Sequence, residues 1–233
     1  MTRDEYIKSV RQIYFLIKVL SNKNGGSVLL LKHKQLDKKI VLRSFDEKVN
    51  AYDLLLSVDC KNLPLIYDSI ILDDGQIVLE EYIEGMTVEE IMQSGRYSYK
   101  GAASVLSAIC NALNILHRYD IVHRDIKPQN ILIGNDGRVV LVDLNASRSI
   151  SDASKDTVIM GTVGYASPEQ LGVTQSDKRT DIYALGVLLN VMLTGEHPSV
   201  RISKGKAEKI IRKCTNINPD DRYQSVAELI AAL

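Results

Sequence analysis

This 233-residue chain has no tryptophan, two phenylalanines, five prolines and three cysteines. Cys60, Cys110 and Cys214 are odd in number, far apart and set in apolar or helical contexts. A disulfide framework or a zinc cluster is therefore not expected, and they read as reduced core thiols of a cytoplasmic protein. Net charge is missing too. Lys plus Arg and Asp plus Glu both number 29, so no overall basic field recruits nucleic acid or anionic lipid. Long hydrophobic runs are absent as well: Ile13 to Leu20 is broken by Lys18 and lacks a signal-peptide cleavage pattern, and Ala184 to Leu193 is too short to span a bilayer. Neither a membrane segment nor a nucleic-acid partner is expected. What is present is an ordinary globular composition, 45% hydrophobic and 25% charged, long enough for one domain or two small lobes.

Thr2-x-x-Glu5 is a capping-box pattern, which predicts a leading helix to about Arg11. Ile13 to Leu20, Val28 to Leu31 and Ile40 to Leu42 then read as successive antiparallel strands, and Val49, Tyr52, Leu55 and Val58 recur at helical spacing. Ile70 to Leu72 and Ile77 to Leu79 flank Asp73-Asp74-Gly75 as a further hairpin. Beyond the connector Glu81 to Gly85 the pattern turns helical. Thr87-x-x-Glu90 caps a short helix. Ala102, Leu106, Ile109, Leu113 and Leu116 mark one face of a long one, and Ile182, Leu185, Leu189 and Met192 mark a helix buried on most sides. Helices over Lys204 to Thr215 and after Ser225-x-x-Glu228 complete an α+β chain with a small antiparallel sheet first.

The chemistry centres on His123-Arg124-Asp125-Ile126-Lys127-Pro128-Gln129-Asn130, followed by the apolar Ile131-Leu132-Ile133. An Asp and an Asn five residues apart with a Lys between them suit a loop that aims polar groups into a cleft. Asn135-Asp136-Gly137 is a strong hairpin signal, and the hairpin would return Asp143 beside Asn130. Two oxygen ligands so placed suit Mg²⁺ bound to a nucleotide. Further on stands Gly161-Thr162-Val163-Gly164-Tyr165-Ala166-Ser167-Pro168-Glu169, where Ser167 as cap, Pro168 and Gln170 open a helical turn.

Taken in order, these segments resemble the catalytic loop, metal-binding Asp and peptide-positioning segment of the protein kinase superfamily, in particular bacterial eukaryotic-type Ser/Thr kinases. The resemblance implies a two-lobed fold, with a sheet lobe at 1–83 and a helical lobe at 84–233, that transfers the ATP γ-phosphoryl group to a protein Ser or Thr hydroxyl. It implies that Asp125 orients the hydroxyl, Lys127 stabilises charge, and Asn130 and Asp143 hold Mg²⁺ or Mn²⁺. Val28, Val41 and Leu132 would enclose adenine, backbone groups of Glu81 and Ile83 would bind it, and Glu80 would stand at the back of its pocket. It also implies a buried pair of Glu169 with Arg222, an Asp181 that braces the catalytic loop, and autophosphorylation at Thr157 or Ser154 near Arg124.

Several positions depart from the family pattern. At the three glycine positions of the phosphate loop stand Ser21, Lys23 and Gly26, the last beside Gly25. Arg43 occupies the place of the phosphate-binding Lys, Ala51 that of its helical Glu partner, and Asp143-Leu144-Asn145 replaces DFG, with Asn145 tolerant of left-handed backbone. Arg43 is expected to pair with Glu80 or with Glu47 instead, and Lys23 to supply a second cation to the phosphates. These departures keep open a pseudokinase, a nucleotide-binding or scaffolding module with little phosphotransfer. The stretch Pro198 to Pro219 is brief, so the helix that often docks protein substrates is expected to be reduced.

Overall fold

Thr2 Oγ1 accepts the Glu5 amide at 3.3 Å while the Glu5 carboxylate accepts the Thr2 amide at 2.9 Å, and this reciprocal cap starts helix α1 (Arg3–Ile13). The computed structural model describes residues 1–23, 26–149, 164–171 and 176–233, with backbone alone for Lys23, Ser149 and Leu171. Gly25, Ser154, Thr157 and Gly161 to Val163 lie outside the described residues.

After α1 come β1 (Tyr14–Lys23), β2 (Gly26–His33), β3 (Lys39–Phe45), helix α2 (Asn50–Leu55), β4 (Ile66–Leu72) and β5 (Gly75–Glu81). The strands form one antiparallel sheet in the order β1-β2-β3-β5-β4. Period-two alternation gives the sheet two different faces. Leu29, Leu31, Ile40, Leu42 and Ile77 form one, closed by Val10 of α1 with Tyr6 and Ile7 packed against it. On the other face Phe45 stacks on Tyr52 of α2, with ring centroids 5.4 Å apart. β1 slips register against β2 after Leu16 and again after Val19, so Ile17 and Leu20 bulge and the strand is more irregular than its apolar run predicts. α2 stops at Leu55, short of Val58.

Residues Met1–Cys60 and Pro64–Ile83 make one compact unit, and Lys61–Leu63 with Glu84–Leu233 make the other. In the second, β6 (Gly85–Thr87) leads into α3 (Val88–Gln93), again through a capping box on Thr87 and Glu90, and then α4 (Tyr99–Arg118). β7 (Ile121–Val122), β8 (Ile131–Gly134), β9 (Val139–Leu141) and β10 (Arg148–Ser149) follow, then α5 (Lys178–Thr194), α6 (Lys206–Cys214) and α7 (Val226–Ala232). β8 and β9 are the expected hairpin. β6, which runs from the last connector residue, Gly85, to the cap Thr87, adds a third strand, and it lies so close to β8 that a side chain at Gly85 would meet the Ile133 carbonyl oxygen at 2.1 Å. α5 is buried on most sides, Ile182, Leu185, Leu189 and Met192 included. At Gly186 a Cβ would lie 2.3 Å from the Cys214 Cβ, so this glycine lets α5 and α6 pack closely. Among the described residues no helix is long and apolar enough to cross a membrane.

Glu169 and Arg222 form the buried pair that the sequence predicts. Arg222 Nη1 donates to Glu169 Oε1 at 2.6 Å and Nη2 to Oε2 at 2.9 Å, while the guanidinium also reaches the carbonyls of Asn216, Arg179 and Ile217. Every donor group of the fork thus has an acceptor, which is what lets a charged side chain be buried here. Burial, the largest single influence, would raise the Glu169 carboxyl, but the hydrogen bonds and charge of Arg222, together with hydrogen bonds from the Glu169 backbone and Ser167, hold the group below its ordinary range. A depressed folded-state value contributes stability above the unfolded carboxyl pKa and loses it as pH falls through the folded one. Arg222→Met is expected to lower unfolding free energy by about 3–5 kcal/mol at pH 7. In urea titrations at pH 7 and at pH 3 the penalty should shrink at the lower pH.

Candidate active site

The loop between β7 and β8 is held from below by one carboxylate. Asp181, fully buried near the start of α5, accepts the His123 amide at 3.0 Å on Oδ2 and the Arg124 amide at 2.9 Å on Oδ1. His117, in the last turn of α4, bonds the same Oδ2 through Nε2 at 2.8 Å. The sequence predicts the role of Asp181 but not that of His117, which sits in no motif. Anchored in this way, Arg124 adopts φ 69°, a left-handed conformation that side-chain-bearing residues disfavour. Burial lowers the His123 imidazole below its usual range, and the neutral ring accepts the Asp125 amide on Nδ1 at 3.3 Å.

Above that support the polar groups converge. Lys127 Nζ lies 2.6 Å from Asp125 Oδ2. Asn130 Nδ2 donates to the same oxygen at 2.9 Å and to the Asp125 carbonyl at 2.8 Å, so both Asn130 amide hydrogens are used and its Oδ1 is left as the donor atom for a cation. The Val142 amide donates to the Asn130 carbonyl at 2.9 Å, which sets Asp143 in the chain position next to Asn130 that the hairpin predicts. Asp143 itself is left-handed, at φ 71°. That corrects the expectation for Asn145, which instead lies in a 3₁₀ turn, Leu144–Ala146, while the metal-binding candidate carries the unusual backbone.

An amide oxygen and a carboxylate are hard donors that fit Mg²⁺ or Mn²⁺. Among the described residues no group of three or more His, Cys, Asp and Glu is suited to a metal, so this pair would rely on phosphate and water oxygens to complete a coordination shell.

Besides His117, two supports were not legible in the sequence: the bond from Gln170 to Arg124 and the place of Asn62. Gln170 accepts the Ser167 amide at 3.0 Å and donates to the Arg124 carbonyl at 2.8 Å, tying the Pro168–Leu171 turn to the loop. The Asn62 side-chain amide donates to the Val139 carbonyl at 2.7 Å and the Asn62 backbone carbonyl accepts the Leu141 amide at 2.9 Å, which fastens 61–63 along β9.

The remaining candidates lie on the first unit, apart from Leu132, which is half-buried in β8. In the sheet register Arg43 faces Val28 on one side and Val78 on the other, and Val41 faces Glu80, so Val28, Val41, Arg43 and Glu80 share a face. Arg43 Nε donates to Glu80 Oε1 at 2.6 Å, with both side chains buried. Of the two partners considered, the structure selects Glu80. Gly26 ends up facing β3, where a Cβ would meet the Ser44 carbonyl oxygen at 2.1 Å, which accounts for glycine there on packing grounds. Lys23 closes β1, paired with Gly26. The Glu81 amide donates to the Leu65 carbonyl at 2.8 Å, and Ile83 is buried.

Asp181→Ala would leave the His123 and Arg124 amides without their acceptor. Hydrogen exchange at both is expected to accelerate by at least tenfold, with a stability loss of roughly 2–4 kcal/mol. Exchange mass spectrometry with urea unfolding measures both.

Comparison with known proteins agrees with this geometry. A profile of the protein kinase domain matches residues 18–230. A probable serine/threonine-protein kinase of Clostridium perfringens is 30% identical over 89% of this chain, which spans 34% of that protein. The serine/threonine-protein kinase PrkC of Bacillus subtilis is 30% identical over 96% of the chain and 40% of its own length. PknB of Mycobacterium tuberculosis is 32% identical over 67% of the chain and 29% of its own length. The chain thus spans about a third of the length of these relatives. With a bracing carboxylate, a three-residue polar cluster and a family match over nearly its whole length, this chain belongs to the protein kinase domain family.

Proposed function

We propose that this domain is an ATP-dependent serine/threonine kinase that transfers the γ-phosphoryl group to a protein hydroxyl. The observation that carries this reading is the cluster of Asp125, Lys127 and Asn130 around one carboxylate oxygen, with Asp143 next along the paired backbone. Asp125 would accept the hydrogen bond of the incoming Ser or Thr and take its proton as the new bond forms. Lys127, 2.6 Å from that carboxylate, would lie against the phosphoryl oxygens and offset their charge. Asn130 Oδ1 and the Asp143 carboxylate would hold Mg²⁺ or Mn²⁺, which when bound to the nucleotide neutralises the phosphate oxygens. On the first unit Arg43, with Lys23 as a second cation, would contact phosphate, and Gly26 would allow backbone approach. Val28, Val41 and Leu132 would enclose adenine, with hydrogen bonds from the backbone of Glu81 and Ile83.

The relatives are named as serine/threonine kinases and retain this reading's substrate class, a protein hydroxyl. The Arg43 and Ala51 replacements favour the pseudokinase reading, but a binding module has no use for a complete Asp125, Lys127, Asn130 and Asp143 set. Autophosphorylation at Thr157 or Ser154 belongs to the same proposal. Three unpaired thiols support a reducing, cytoplasmic setting for the domain.

The test is transfer of label from [γ-³²P]ATP, with Mg²⁺ or Mn²⁺, to the chain itself and to a generic basic substrate protein. Asp125→Ala should lower the rate by about 10²–10⁴-fold with ATP affinity within about twofold of the wild type. Label transfer that is absent from the wild type, or equal in the two proteins, would sink the reading.

A further inference from the structure

Arg43 and Glu80 stand on neighbouring strands of one sheet, diagonal to each other across the β3–β5 register and on the same face. Their side chains are 9% and 3% exposed, so the 2.6 Å bond from Nε to Oε1 is a desolvated, charge-assisted contact. A guanidinium is a rigid plane. Fixing Nε against one carboxylate therefore fixes the direction in which both Nη groups point. A lysine presents three donors from one rotatable nitrogen, so a carboxylate can pair with it but cannot orient a plane. The Arg at position 43 and the carboxylate at position 80 thus make chemical sense as a pair.

The helix packed on this sheet is occupied with something else. α2 reads Asn50-Ala51-Tyr52-Asp53-Leu54-Leu55, so Asp53 is its one charged side chain. Asp53 accepts from Ser69 Oγ at 2.6 Å and Gln76 Nε2 at 3.3 Å, and pairs with Lys48 at 2.9 Å. Gln76, fully buried in β5, also donates to Ser69 Oγ at 2.8 Å and accepts the Val49 amide at 2.7 Å, just ahead of α2. The helix is bolted to β4 and β5 through this network, and its only carboxylate is spent there.

We propose that Glu80 is the positioning residue for Arg43, so that the phosphate-anchoring cation of this domain is set from within the sheet and does not depend on a carboxylate of α2. This rests on the kinase reading above, in which Arg43 meets phosphate.

The experiment compares ATP and adenosine binding, by calorimetry with Mg²⁺ present, to wild type, Glu80→Gln, Arg43→Lys and Asp53→Asn, each checked by circular dichroism for a native spectrum. Adenosine lacks the phosphates, so it separates loss of the cation from general damage to the fold. Glu80→Gln should weaken ATP by about tenfold or more and weaken adenosine, whose pocket Glu80 also backs, several-fold less. Arg43→Lys should behave alike and serves if Glu80→Gln does not fold. Asp53→Asn should lower the melting temperature but leave both affinities within about twofold. The inference is overturned if Glu80→Gln keeps its ATP affinity, if ATP and adenosine weaken together, or if Asp53→Asn matches the Glu80→Gln loss. A wild-type chain that binds no ATP would instead overturn the kinase reading itself.

Discussion

A loop that must present three polar side chains from eight residues cannot pair its own backbone, and in this protein one buried carboxylate resolves that difficulty. Asp181 supplies acceptors for two consecutive amides, His123 and Arg124, and takes a third bond from His117. Without those bonds two buried N–H groups would be orphaned, at a cost comparable to several surface interactions. With them, Arg124 can be held left-handed, and the chain turns so that Asp125, Lys127 and Asn130 meet at one oxygen. Gln170 completes the arrangement from above by taking up the Arg124 carbonyl.

Among the described residues, the buried Arg222 and Arg43 are each paired with a carboxylate, to different ends. Arg222 satisfies all its donor groups on Glu169 and three carbonyls, so it is a fixed joint among 169–171, α5 and 216–222. Arg43 is anchored to Glu80 through Nε, at the edge of its fork rather than at the end. The same residue type is thus held through the end of its fork in one case and through Nε in the other, and the donor used sets how the guanidinium plane is turned.

Much of the fold could be read from residue order because its signals are local. The capping boxes at Thr2 and Thr87 need only four residues each, the β8–β9 hairpin follows from Asn135-Asp136-Gly137, and α4 declares itself by spacing. β6 was missed because three residues carry no period of their own, and their strand conformation exists only where β8 supplies hydrogen bonds. The bulges in β1 were missed for a related reason: an unbroken apolar run gives no sign of where its register against β2 will slip.

The sequence by itself determined the chemistry: which carboxylates, amides and cations are available, in what order, and with which departures from the family pattern. It also left Arg43 with two candidate partners, since Glu47 and Glu80 are both plausible by counting. Only the tertiary structure decided for Glu80, and only it brought His117, Gln170 and Asn62 into service, because side-chain hydrogen bonds between residues tens of positions apart depend on strand register and helix packing, which no local pattern encodes.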